Sequence, residues 1–384
     1  MQPVRVGIIG MGNIGRHHAG YLLARQAPGV ELTAVCSSNP SKLESYKNLR
    51  AYSRPELLIS SGEVEAVIIA TPHYQHTTLG IAALEAGLHI MVEKPISAHK
   101  ADAERLISAA RAHPKQVFGA MFQLRSEPRY LRIRQLMKSG ELGRITRMNW
   151  INTDWFRTDA YYSSGGWRAT WKGEGGGVLL NQALHNLDTV HWLFGQPARV
   201  RAFCKLGGSH NIEVEDEVTA YMEWPDGCTG VFITTTGEAP GTNRLEITGT
   251  RGRLVLENDR ISFLRNESDM LEFSRTSKSG FAKPEFWTAD IPFSNTPAQH
   301  ASIMQNFAEA IRDGKPLIAP GEDGVGSVEL ANGMLLSALD DTTVSLPMDS
   351  SVYEQRLQRL IAESKHQKTV VEIQSDDFSK SFRR

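Results

Sequence analysis

A chain of 384 residues exceeds what one hydrophobic core usually serves and predicts two domains, and its formal net charge of −1 offers no overall field to nucleic acid or an anionic membrane. Hydrophobic residues at 41% and charged residues at 22% are the balance of an ordinary globular protein, with no apolar run approaching a membrane span. The three cysteines, Cys36, Cys204 and Cys228, lie far apart without C-x-x-C spacing, which argues against structural zinc and for reduced thiols in a cytoplasmic setting.

The N-terminus, "PVRVGIIG", reads as a strand and a glycine turn rather than a signal peptide. A first strand at 4–9 meets "GMGNIG", and a helix runs to about Arg25. A second strand follows at 30–36, then a helix at 40–48, a short helix at 55–61 and a strand at 64–70. A helix at 74–86, a strand at 89–94, a helix at 99–112 and a strand at 116–121 complete the alternation. Near-continuous apolar strands between helices predict a parallel sheet covered on both faces, an α/β doubly wound Rossmann domain over residues 1–122.

"GMGNIG" places Gly10, Gly12 and Gly15 in a G-x-G-x-x-G frame, with Asn13 and Ile14 opening the helix. The frame follows a strand and starts a βαβ unit, the context in which backbone N–H groups and a helix N-terminus receive a pyrophosphate. An NAD enzyme usually carries an acid at the end of the second strand, for the ribose 2′-OH. Here stand Ser37 and Ser38, with Lys42 beyond, so nothing repels a 2′-phosphate. The cofactor is therefore NAD or NADP; two hydroxyls and an ammonium suit the phosphate, and a loop that binds NAD and ignores Lys42 stays open.

Strands dominate after residue 122. Pro128 opens a helix that stops near Gly140. Strands follow at about 144–153, 198–205, 214–224, 228–236, 243–249, 253–257 and 260–265, interrupted by helices at 177–194 and 299–313. A helix at 322–339 and a last strand at 342–347 end this part. The pattern predicts an α+β domain over 123–347 with a large, mostly antiparallel open sheet, a form that often buries a face by homodimer or homotetramer formation. Residues 348–384 read as an exposed helix and the polar tail "SDDFSKSFRR".

Within the predicted helix at 177–194, "GGGVLLNQALHNLD" sets Asn181, His185 and Asp188 at i, i+4 and i+7, beside a stripe of Leu180, Leu184 and Leu187. A polar seam with His185 paired to Asp188 would explain the row; so would the wall of a polar cleft. The preceding "DWFRTDAYYSSGGWRATWKGEGGG" interleaves aromatics with Arg157, Arg168 and Lys172 among glycines, as a lid or crossing loop would. Aromatic faces pack on sugar C–H groups while Arg and Tyr donate to hydroxyls, which singles out Tyr161, Trp167 and Arg168 as pocket residues. Grip on single-stranded nucleic acid is the other reading of such a loop, and the net charge opposes it. Of His17 and His18, at least one should face solvent, and His73 is placed along the cleft. His185 and His191 are six residues apart on opposite helix faces, so no metal site is expected.

"GIIGMGNIG", "ATPHYQHTTLGIAALEAG" (70–87), "HIMVEKPIS" (89–97) and "GGGVLLNQALHNLD" together resemble the glucose–fructose oxidoreductase, inositol dehydrogenase and rhizopine-catabolism family (Gfo/Idh/MocA), from the N-terminus to about residue 347. The resemblance implies an NAD(P)-dependent oxidoreductase acting on a sugar or cyclitol. It implies that Lys94 bonds the reacting hydroxyl and that His185 is the general acid/base. Glu93 and Pro95 fall beside the cofactor, Thr71, Pro72 and His76 along it, and Gln123 and Arg125 near the nicotinamide. Arg168 is expected to touch both cofactor and substrate. Many members carry an acid four residues before the histidine; this chain has Asn181, which can hold a hydroxyl but cannot take its proton. "WRATW" resembles a subgroup acting on glucosides or anhydrosugars, which suggests a pyranose C3 hydroxyl.

The chemistry has its own logic. Oxidising a secondary alcohol removes a proton from oxygen and a hydride from carbon. A histidine suits the proton, a nearby cation the developing alkoxide, and Asp188 can orient the ring. Two rivals remain: a glycoside-cleaving enzyme with retained NAD that oxidises the ring transiently, and a non-catalytic cofactor-sensing regulator.

Overall fold

The structure is a computed structural model that describes residues 2–294 and 299–371; the tail "SDDFSKSFRR" lies outside them. Six parallel strands form the first sheet: β1 (Val4–Ile9), β2 (Val30–Cys36), β3 (Arg50–Tyr52), β4 (Ala66–Ile69), β5 (His89–Val92) and β6 (Phe118–Ala120), in the order β3-β2-β1-β4-β5-β6. The order reverses between β1 and β4, the switch point where such sheets receive ligands. Helices α1 (Asn13–Leu23), α2 (Pro55–Ile59), α3 (Tyr74–Glu85) and α4 (Lys100–Ala112) connect the strands.

Two local expectations change here. The helix expected at 40–48 is a pair of 3-10 turns, Pro40–Lys42 and Glu44–Tyr46, and the unforeseen β3 follows. The chain must reach Arg50 beside Ala34, and i→i+3 turns advance farther per residue than an α-helix. Bonds from Leu43 to Pro40, Tyr46 to Leu43 and Leu49 to Tyr46 carry it there.

The second sheet has nine strands: β7 (Ile145–Asn152), β8 (Arg199–Leu206), β9 (Glu215–Glu223), β10 (Thr229–Thr235), β11 (Asn243–Gly249), β12 (Gly252–Glu257), β13 (Arg260–Asn266), β14 (Phe286–Ile291) and β15 (Val344–Ser345). Every pairing is antiparallel except β7 with β10. The helices here are α5 (Pro128–Lys138), α6 (Asp159–Ser163), α7 (Leu184–Phe194), α8 (Met270–Thr276), α9 (Gln299–Asp313), α10 (Gly324–Leu339) and α11 (Ser350–Glu363). The alternation of β7 to β10 turns Met148, Trp150, Ala220, Met222 and Phe232 inward, against α7 and α10.

Helix α10 is buried around nearly its whole circumference because it lies between β8 on one side and α4 on the other. Lys100 of α4 crosses to it, pairing with Glu329 at 2.7 Å. Helix α9 returns to the first sheet: Ile303, Met304 and Phe307 pack in the core of Val4, Val6 and Ile8. Helix α9, from the later part of the chain, thus belongs in space to the first core. Helix α11 is not merely exposed, since Tyr353 and Leu357 are fully buried. Among the described residues no helix is long and apolar enough to cross a membrane.

Candidate active site

The first sheet's carboxyl edge has the backbone a dinucleotide needs. Gly10 has a φ of 101°, and a Cβ there would lie 2.5 Å from the Ala70 carbonyl. A Cβ on Gly15 would lie 1.9 Å from the Gly10 carbonyl, whereas one on Gly12 would meet nothing within 4 Å. The turn is therefore closed below by Gly10 and Gly15 and open at Gly12, beside an α1 N-terminus with no side-chain cap. Thr71 Oγ1, just past β4, is buried with no hydrogen-bond partner among the described residues. These features fit a pyrophosphate and its sugar. Asn13 accepts from Arg16 at 2.7 Å, and Ile14 packs on the first core. Past β2, Ser37 is buried while Ser38 and Lys42 are exposed.

The loop after β5 is held from three sides. Glu93 accepts from His18 Nε2 at 2.7 Å and from the Lys94 amide at 3.1 Å. Burial pushes its carboxyl up, but the His18 bonds outweigh that and hold it below the usual range. His18 is fully buried, so of the pair in α1 only His17 retains exposure. His76 bridges the Pro95 carbonyl at 2.7 Å and the Thr71 carbonyl at 2.8 Å, tying Pro72 and its neighbours to the Lys94 loop.

Lys94 reaches across to the second domain. Its Nζ donates to the Asn181 carbonyl at 2.9 Å and approaches Asn181 Oδ1 at 3.5 Å. Burial lowers the ammonium's pKa to about 8, against the pull of Glu93 and Glu174. Four residues after Asn181, the buried His185 ring meets Gln123, whose amide donates to Nε2 at 3.3 Å. The first domain thus presents Lys94, the segment just after β6 Gln123, and the region of α7 Asn181 and His185.

Contrary to the prediction from the spacing, Asn181 does not share a helix with His185. Helix α7 begins only at Leu184. Glu215 takes the Gly177 and Leu179 amides at 2.8 and 3.0 Å, and a Cβ on Gly177 would lie 2.0 Å from the Glu215 carbonyl. The Asn181 amide returns to Gly177 and the Ala183 amide to Val178, so bonds of unequal span close turns instead of a helical ladder. Asp188, expected to orient His185, is engaged by a guanidinium. Arg125 takes both Asp188 oxygens, at 2.9 and 2.7 Å, and reaches Asp323 at 2.6 Å. The guanidinium that the resemblance places near the nicotinamide ties the segment after β6 to α7 and to the turn before α10.

The aromatic loop closes the other side. Tyr161 Oη receives Arg168 at 2.8 Å, Gln182 at 3.0 Å and Asn181 at 3.4 Å. The Arg168 guanidinium lies 4.5 Å from the Tyr161 ring centre and 4.7 Å from that of Trp167. His73 pins the loop, its Nδ1 3.0 Å from the Glu174 carbonyl, and Tyr74 donates to the Trp171 carbonyl at 2.7 Å. Tyr161, Trp167, Arg168, Asn181 and Lys94 therefore meet in one region. Sequence reasoning passed over Glu174, Gln182 and Tyr74. The first two flank the glycine run and Asn181, and neither position has a periodicity to mark it.

Residues 4–120 match the model of an oxidoreductase family with an NAD-binding Rossmann fold, GFO/IDH/MocA, and residues 130–255 match the GFO/IDH/MocA C-terminal domain. A levoglucosan dehydrogenase from Pseudarthrobacter phenanthrenivorans is 25% identical over 91% of this chain and 100% of its own. A 1,5-anhydro-D-fructose reductase from Ensifer adhaerens is 25% identical over 86% of this chain and 94% of its own. A WlbA dehydrogenase from Bordetella pertussis, solved with NADH and UDP-GlcNAcA, shares the fold with a TM-score of 0.77 at 24% identity, covering 91% of this chain and 100% of that one.

Proposed function

The chain belongs to the GFO/IDH/MocA family of NAD(P)-dependent oxidoreductases, and from that premise we propose that it oxidises a secondary ring hydroxyl of a sugar, glycoside, anhydrosugar or cyclitol, C3 of a pyranose being the favoured position. The reading is carried by one contact, Lys94 Nζ on Asn181 at 2.9 Å, which brings a cation of the cofactor domain to the segment bearing His185. The bound dinucleotide supplies the acceptor for the hydride. Gly10, Gly12, Asn13, Ile14 and Gly15 hold its pyrophosphate, Ser37, Ser38 and Lys42 its adenine ribose, and Thr71, Pro72, His76, Glu93 and Gln123 the part nearer the reaction.

Lys94 donates to the alcohol oxygen and stabilises its developing negative charge, while His185 takes the proton. Asn181 and Arg168 hold neighbouring hydroxyls, and Tyr161 and Trp167 present faces to the ring C–H groups. The named activities of the relatives, on levoglucosan and an anhydro-sugar, support a carbohydrate substrate. We place the protein in a reducing, cytoplasmic setting, as the three widely separated cysteines suggest. Copies of the chain pair through the uncovered face of the second sheet.

A screen of sugars, glycosides and inositols with both cofactors, followed by nicotinamide absorbance, tests the reading. Turnover is expected with at least one polyol, and Lys94→Ala and His185→Ala should each lower kcat by about 10²–10⁴ while the cofactor still binds. Cofactor binding without any turnover, or variants at full rate, would overturn it.

A further inference from the structure

Glu174 closes the aromatic loop immediately before the three glycines and is only 2% exposed. Its carboxylate accepts the Ala169 amide at 2.5 Å and the side-chain amide of Asn181. Asn181 faces Lys94 with its other groups, the backbone carbonyl at 2.9 Å and Oδ1 at 3.5 Å. One asparagine therefore stands between a buried carboxylate and an ammonium, its N–H turned to the first and its oxygens to the second. We propose that Glu174 is a positioning residue for Lys94, acting through Asn181, and that it couples the seating of the aromatic loop to the state of that ammonium.

The coupling follows from where the charges lie. Lys94 faces Glu93 from its own loop, Glu174, Arg157 and Arg168 from the aromatic loop, His73 and His76 from the start of α3, and His300 from α9. Burial and the two guanidiniums disfavour the ammonium; the two carboxylates favour it. Glu93 is fixed by His18 in the first domain, whereas Glu174 belongs to the loop that it anchors at Ala169. A seated loop thus brings the second carboxylate to Lys94, and a lifted loop takes it away. The catalytic sense of this rests on the function proposed above, in which Lys94 keeps its proton while charge develops on the alcohol oxygen.

The test reads the ammonium without turnover. Free amines acylate and ammonium ions do not, so the labelling of Lys94 against pH, followed by mass spectrometry of its peptide in the cofactor-free protein, gives its midpoint. In Glu174→Gln the midpoint should fall by about one unit below the wild-type value, and in Glu174→Asp it should stay near wild type. The basic limb of kcat should move with it and KM much less, a split that loss of packing alone would not produce. An unchanged midpoint in folded Glu174→Gln overturns the proposal. Lys94→Met provides an independent arm if Glu174→Gln does not fold. Burial already raises the Glu174 carboxyl, and loss of the ammonium should raise it further, seen by infrared as a protonated carboxyl persisting to higher pH. A Glu174 titration unmoved by Lys94→Met also overturns it. Neither measurement needs a substrate, so a failed coupling and a failed dehydrogenase assay are separate results.

Discussion

At the scale of the residue, the proposed cofactor choice rests on one strand end. β2 stops at Cys36, and the groups that follow are the hydroxyls of Ser37 and Ser38, with Lys42 exposed on the next turn. A carboxylate at this place would hold the ribose diol and repel a 2′-phosphate; hydroxyls repel neither. Ser37 Oγ accepts the Asn39 amide at 3.2 Å, which leaves its own O–H to donate outward. Lys42→Ala is therefore expected to weaken NADP+ by about two- to fivefold, the worth of one exposed charge, and to leave NAD+ unchanged. Fluorescence titration of both cofactors decides it; equal NADP+ affinity in the variant would remove Lys42 from the site. The glycine turn and the end of β2 were legible in the sequence because both are local features.

At the scale of the element, the position of α7 depends on a pair far apart in sequence. Arg125, after β6, and Asp188, in the second turn of α7, are both almost wholly removed from water, with side-chain exposures of 1% and 0%. Two parallel hydrogen bonds hold them. Asp188→Asn leaves the guanidinium with half of its compensation, and a loss of about 3–5 kcal/mol in urea unfolding is expected. A loss under about 1 kcal/mol would mean that the clasp is incidental to α7. The sequence pointed instead to a bond between Asp188 and His185, because three residues apart on a helix is a close approach. A partner 63 positions away leaves no such mark. The same blindness placed Asn181 on the helix. The leucine period continues through 180–184, and only Glu215, brought up by β9, shows that the backbone there is already bonded elsewhere.

At the scale of the molecule, the second sheet is covered on one face only among the described residues. Phe203, Thr219, Ile233 and Ile151 are register neighbours across β8, β9, β10 and β7, and Tyr221 lies two residues along on the same face. Phe203 is 63% and Tyr221 43% exposed. An apolar row of this kind on a wide sheet is what a second copy covers. Sedimentation at micromolar concentration should find a dimer or tetramer, and Phe203→Glu should shift it toward monomer. A monomer in the unaltered chain would contradict the pairing.

The sequence by itself determined the α/β alternation, the glycine turn, the strand-rich second half and the family's Glu-Lys-Pro and histidine motifs. Each is written in spacings of a few residues, within reach of one turn or one strand. The tertiary structure decided what those residues touch. It gave Asp188 to Arg125, ended the 175–183 turns at Glu215, returned α9 to the first core and set Glu174 beside Asn181. Buried polar groups must find partners wherever packing delivers them, and packing is a property of the assembled layers rather than of any stretch of chain.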